Sequence, residues 1–154
     1  SKFKIFDLNL RQNFYSKSKV KYLLNESDFL KINMEELLKL AIIFKLKYSH
    51  IERLIESIYL MFNLKFICVT NGSINSTIYD GNNFITIDSF KVKSIDNLGA
   101  GDNFLACFIN EFFAKKNGIK NSLKIASAYG ALATTKIGAS PSIKPNEINR
   151  ILKK

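Results

Sequence analysis

The stretch Asp96–Asp102, DNLGAGD, places two glycines and a carboxylate just ahead of an apolar run, NFLACFINEFFAKK, that reads as a helix. A helix start carries unpaired backbone N–H groups and the positive end of its dipole, so it attracts anions. Gly99 and Gly101 remove the side chains that would hold a phosphate away from those groups. Asp102 would repel the same phosphate unless it has a task, such as accepting a proton. Asp102 taking the proton of an alcohol, with the N–H groups of Gly99, Ala100 and Gly101 stabilising a transferring phosphoryl group, would put a base and an anion hole on one turn. The plainer reading stands beside it: the glycines make a turn and Asp102 caps the helix.

Other chemistry finds little material. His50 is the one histidine, which leaves a Ser-His-Asp triad or a His-based metal site without ligands. Cys68 and Cys107 lie far apart, inside the apolar runs FICV and LACF, and read as buried reduced thiols. The net charge of +10, from 23 basic and 13 acidic residues, favours anionic partners. The lysines are scattered, with no arginine-rich run and no aromatic RNA-binding motif, so nucleic acid is not an expected partner. No apolar run approaches the ~18 residues of a membrane span, and no membrane partner is expected. The first residues, SKFKIFDLNL, lack a secretory signal pattern, so the expected location is cytoplasmic.

The elements that must position Asp102 follow from hydrophobic period and punctuation. FKIFDLN reads as a strand, SKSKVKYLLNES as a helix and DFLKIN as a second strand. Asn33 with Glu36 three residues later opens the helix MEELLKLAIIF with a capping-box pattern, and Ser49 with Glu52 repeats that signal before IERLIESIYLMF. KFICVT reads as a buried strand, and STIYDG with NNFITIDSF as a hairpin around Asp80–Asn83. Phe104, Phe108 and Phe112 recur at a spacing of four on the helix after GAGD. The Ala-, Ser- and Gly-rich helix NSLKIASAYGALATTKIG suits close packing and is expected to end at Gly138. A short basic helix with Pro145 in its first turn closes the chain. Strands separated by helices predict an α/β fold with a mostly parallel sheet and one antiparallel hairpin, in a single domain over 1–154.

Several segments, in order, resemble the ribokinase-like (phosphofructokinase B-type) carbohydrate kinases. IDNLGAGDNFLACFINEF resembles the C-terminal DTxGAGD signature, and FDLNLR the D-x-N-x-R strand of fructokinase- and ketodeoxygluconate-kinase-like members. LKINMEE resembles the strand ending in N-x-x-E, VTNGSINS the T-x-G-x-x-G turn, and ALATTKIGASPSIKPNEI the closing helix and G-A-x-P-S loop. The resemblance implies a three-layer α/β/α fold, Rossmann-like, and ATP-dependent phosphorylation of a sugar hydroxyl with Mg2+ and K+. Fructokinase is the best match; ribokinase, ketodeoxygluconate kinase and nucleoside kinase are alternatives. By matched position, Asp102 is the implied base and Gly99, Ala100 and Gly101 the anion hole. Asn33 and Glu36 would hold the Mg2+-ATP phosphates, mostly through water, with the plain capping box as the alternative. Thr70, Gly72 and Gly138 would approach the nucleotide, although Asn75 replaces the last glycine of T-x-G-x-x-G. Asp96, Leu98, Ala133, Gly138 and Ser142 match the monovalent-cation site, where Asn97 replaces the usual Thr. Asp7, Asn9 and Arg11 fall where fructokinases approach the sugar and phosphoryl group.

Members of this family are typically twice as long. The resemblance implies that this chain is the nucleotide-binding, base-carrying C-terminal part. The N-terminal half, the β lid and the G-G-x-x-x-N sugar-binding segment would then be absent. The full-length protein is expected to be a homodimer. The chain alone is expected to bind nucleotide weakly and turn over little sugar, and to expose a sheet edge and apolar helix faces. A non-catalytic nucleotide-binding remnant is the competing reading.

Overall fold

The structure, a computed structural model, describes residues 2–10 and 15–153. Arg11 therefore lies outside the described residues. Five strands form one sheet in the order β1-β2-β3-β4-β5, with β1 at Ile5–Asp7, β2 at Phe29–Asn33, β3 at Phe66–Asn71, β4 at Asn75–Tyr79 and β5 at Phe84–Asp88. The first three run parallel, with Asp7 opposite Lys31, Lys31 opposite Cys68, and Asn33 opposite Thr70. The links from β3 to β4 and from β4 to β5 are too short for a crossover, so the sheet becomes antiparallel there. The expected hairpin is present, its turn held by Asp80 Oδ1, which accepts the N–H groups of Asn82 and Asn83 at 2.9 and 2.7 Å.

Six α-helices accompany the strands: α1 Lys17–Asn25, α2 Met34–Phe44, α3 Ile51–Met61, α4 Ala100–Ile109, α5 Ile119–Ala133 and α6 Pro145–Leu152. The chain divides into two compact units, Ser1–Asn71 with Thr77–Ile85, and Gly72–Ser76 with Thr86–Lys154. In the first unit, Leu24 on α1, Leu30 and Ile32 on β2, Leu37 and Leu40 on α2, Leu54 and Ile58 on α3 and Ile67 on β3 are fully buried. Each such side chain contributes about 1.5–3 kcal/mol relative to exposure. Phe29, Leu30 and Ile32 make β2 a near-continuous apolar run, as a strand covered on both faces requires. Lys31 breaks that run, and its ammonium bonds Asp7 at 3.0 Å.

In the second unit, Phe104 and Phe108 of α4 are buried, as are Leu123, Ala126, Ala128 and Ala133 of α5. The small residues of α5 do allow close packing: a Cβ added at Gly130 would lie 3.2 Å from that of Phe104. The Phe108 and Phe112 rings stack at 5.5 Å, continuing the expected aromatic seam. A π-helical turn at Asn110–Ala114 extends α4. There the buried Glu111 accepts from Lys115 at 2.6 Å and from Asn117 at 2.7 Å.

Two local expectations are corrected. α5 ends at Ala133 rather than Gly138: the backbone N–H groups of Thr134, Thr135 and Lys136 close on carbonyls three residues back at 3.2, 3.0 and 3.2 Å, and the Thr134 and Thr135 hydroxyls donate to the Ala131 and Leu132 carbonyls at 2.8 and 2.7 Å. The second capping box does not form: extended His50 precedes α3 without a side-chain cap, and Ser49 Oγ is paired with His50 Nδ1.

Candidate functional site

In the first unit, the candidate residues gather at the carboxyl ends of the parallel strands, where open α/β sheets bind ligands. Asn33 ends β2 and caps α2: its Oδ1 accepts the Glu36 N–H at 2.9 Å, and Glu36 Oε2 accepts the Asn33 N–H at 2.9 Å. The capping box that the sequence left open is therefore formed. Glu36 is only 5% exposed, and its second oxygen accepts the N–H of Leu10 at 2.9 Å. Both carboxylate oxygens thus bind the chain itself. Thr70 lies beside Asn33 in register, with Oγ1 donating to Ile32 O at 3.5 Å. Asp7 is engaged by the ammonium of Lys31 through both oxygens, at 3.0 and 3.2 Å. Asn9 is exposed and adopts φ 44°, in the left-handed region that asparagine tolerates.

In the second unit, Gly99 is the residue that precedes α4, with φ 72°. Asp102 is therefore the third residue of the helix and not its cap. It is exposed and makes no side-chain hydrogen bond among the described residues. The N–H groups of Gly101 and Asp102 fall in the first turn, beyond the reach of the helical ladder, whereas that of Ala100, expected in the anion hole, donates to the Asn97 carbonyl at 3.3 Å. A Cβ at Gly99 would collide with the carbonyl of Ala139, so glycine is required by contact as well as by conformation. Asn103 Nδ2 donates to the carbonyls of Gly99 and Ala139 at 2.8 and 2.7 Å. The sequence reading passed over Asn103 because a polar residue one step past the motif looks like a solvent-facing helix position.

Asp96 joins the same two segments. Its Oδ2 accepts the Gly138 N–H and its Oδ1 the Leu98 N–H, both at 2.9 Å. These bonds, the one from Gly138 foremost, hold the Asp96 carboxyl below the usual carboxylate range. Of the residues expected to hold a monovalent cation, Asp96, Leu98 and Gly138 are thus brought together. The Ala133 carbonyl instead accepts the Lys136 N–H at 3.2 Å, and the Ser142 carbonyl accepts the Lys136 ammonium at 2.5 Å. Each of these carbonyl oxygens has one of its two lone pairs engaged within the chain. Gly72 has φ 52°, its surroundings are open, and its carbonyl accepts from Ser89 Oγ at 3.0 Å. Among the described residues no three His, Cys, Asp or Glu side chains cluster to hold a metal, so Mg2+ finds no protein cage. Mg2+ commonly rides on nucleotide phosphates with few protein ligands, which this site can accommodate.

Residues 1–146 match the family described as pfkB family carbohydrate kinase. Fructokinase-2 of Solanum habrochaites is 33% identical over 87 residues, covering 53% of this chain and 26% of that protein. The ribokinase of Thermotoga maritima superposes with a TM-score of 0.80 at 24% identity, over 97% of this chain and 48% of its own. A double-mutant fructokinase of Vibrio cholerae O395, solved with fructose, ADP and potassium ion bound, gives a TM-score of 0.78 at 25% identity, over 96% of this chain and 49% of its own. Other neighbours were solved with ATP, and with ATP and Mg2+. The fold is the ribokinase-like α/β fold. The chain spans about half the length of these solved proteins. No helix among the described residues is long and apolar enough to cross a membrane.

Proposed function

The chain belongs to the pfkB family of carbohydrate kinases, and on that premise we propose that it carries the catalytic base and nucleotide-facing residues of an ATP-dependent kinase acting on a sugar hydroxyl. The observation that carries this reading is Asp102, exposed on the first turn of α4 beside N–H groups the helix does not use. Bound ATP with Mg2+ supplies the phosphoryl group and part of the charge neutralisation. Asp102 accepts the proton of the sugar hydroxyl as that oxygen becomes a nucleophile. The N–H groups of Gly99 and Gly101, with that of Ala100 once it leaves the Asn97 carbonyl it meets at 3.3 Å, stabilise the negative charge that develops on the phosphoryl oxygens. The exposed amide of Asn33, with Thr70 and Gly72, faces the nucleotide in this reading. Glu36 acts through the chain it braces. Asp7, Asn9 and Arg11 approach the sugar, and fructose is the favoured substrate because of FDLNLR and the fructokinase relatives. A cytoplasmic site of action belongs to the same proposal.

The test is a panel of sugars with ATP and Mg2+, on the full-length protein and on its Asp102→Asn variant. The expected result is phosphorylation of fructose above the other sugars, lowered about 10²–10⁴-fold in the variant while ADP still binds. Unchanged turnover in Asp102→Asn would remove Asp102 as the base. Nucleotide binding with no transfer to any sugar would instead support the non-catalytic remnant.

A further inference from the structure

Asn103 follows the base directly, and the chemistry above does not use it. Its two amide hydrogens reach two carbonyls, Gly99 at 2.8 Å and Ala139 at 2.7 Å. Its backbone N–H closes on the same Gly99 carbonyl at 2.9 Å. The peptide between Gly99 and Ala100 is planar and trans, so its carbonyl and N–H point in opposite directions. Holding the Gly99 carbonyl therefore fixes the Ala100 N–H, which in this structure donates to the Asn97 carbonyl at 3.3 Å. The Ala139 carbonyl is held on one side by the Asn103 amide and on the other by the bare Cα of Gly99. No other side chain of similar size can donate twice from that position with this geometry.

We propose that Asn103 is a positioning residue for phosphoryl transfer, locking the Gly99–Ala100 peptide and the first turn of α4 onto the Gly138–Ala139 loop. The proposal rests on the kinase reading above for its catalytic consequence, and on hydrogen bonding alone for its structural one. Asn103→Leu keeps the volume and removes both donors. Asn103→Asp keeps the shape and sets a carboxylate against two carbonyl oxygens.

The test compares the full-length protein and both variants by 15N relaxation, thermal unfolding and steady-state turnover of fructose with ATP and Mg2+. In both variants the order parameters of Ala100, Gly101 and Ala139 fall together from about 0.85 to below about 0.6, while Phe104–Ile109 keep theirs. The kcat drops about 10- to 100-fold, with a much smaller change in KM for ATP. Unchanged order parameters overturn the positioning role and leave the kinase reading intact. Loosening spread evenly along α4 with a matching loss of Tm also overturns it, as does a loosened turn with wild-type kcat. A full-length protein that transfers no phosphoryl group defeats the kinase reading and the catalytic consequence with it, while relaxation still decides whether Asn103 locks the turn.

Discussion

The carboxylate of Glu36 accepts the backbone N–H of Leu10 at 2.9 Å, across 26 residues of sequence. One side chain therefore closes the start of α2 and fixes the segment that follows β1. Glu36→Gln offers one oxygen where two N–H donors converge, so either Leu10 or Asn33 meets an amide NH2 instead. Losing that charged acceptor in a buried place is expected to destabilise the protein by about 1–3 kcal/mol. Urea unfolding should show a lower midpoint with an unchanged m-value. An unshifted midpoint would mean that Glu36 does not brace Leu10.

Asp96 gives a pH dependence with a definite sign. Its carboxyl lies below the ordinary range in the folded state, chiefly through the Gly138 N–H and then that of Leu98. A depressed value contributes stability that is present above the unfolded value, about 3.9, and lost as pH falls through the folded value. The junction between Leu98 and Gly138 should thus hold at neutral pH and open only below about pH 4. The amide shifts of Leu98 and Gly138, followed from pH 7 to pH 2, check this. Titration of those amides near pH 6 would contradict it.

The two thiols should differ from each other and from unfolded protein. Burial pushes Cys68 up to about 12 and Cys107, which is less enclosed, up to about 11. Thiolate is the reactive form and Cys68 is fully enclosed, so at pH 8 Cys107 should alkylate faster than Cys68, and both far more slowly than in urea. Mass spectrometry of iodoacetamide-treated protein reads both sites. Rapid native labelling of Cys68 would show that β3 is not covered.

Much of the fold was legible because it is written in local pattern. Asn33 and Glu36 are three residues apart, and their capping box formed as read. The Asp80–Asn83 turn sits where two alternating runs meet. The GAGD motif marked the start of α4, within a residue of where it begins. What escaped was long-range. Nothing near Glu36 announces Leu10, and nothing near Asn103 announces Ala139, 36 residues on. The early end of α5 comes from the backbone tightening to bonds three residues back, joined by the Thr134 and Thr135 hydroxyls, a change that period and propensity do not resolve.

The row Asp7, Lys31 and Cys68 crosses three adjacent strands at one level of the sheet. A slip of β1 by a single position would turn Asp7 to the opposite face and leave the Lys31 ammonium stranded among apolar neighbours. Correct alignment is thus proofread by one charge pair. Chains that zip up out of step carry a built-in reason to come apart and try again.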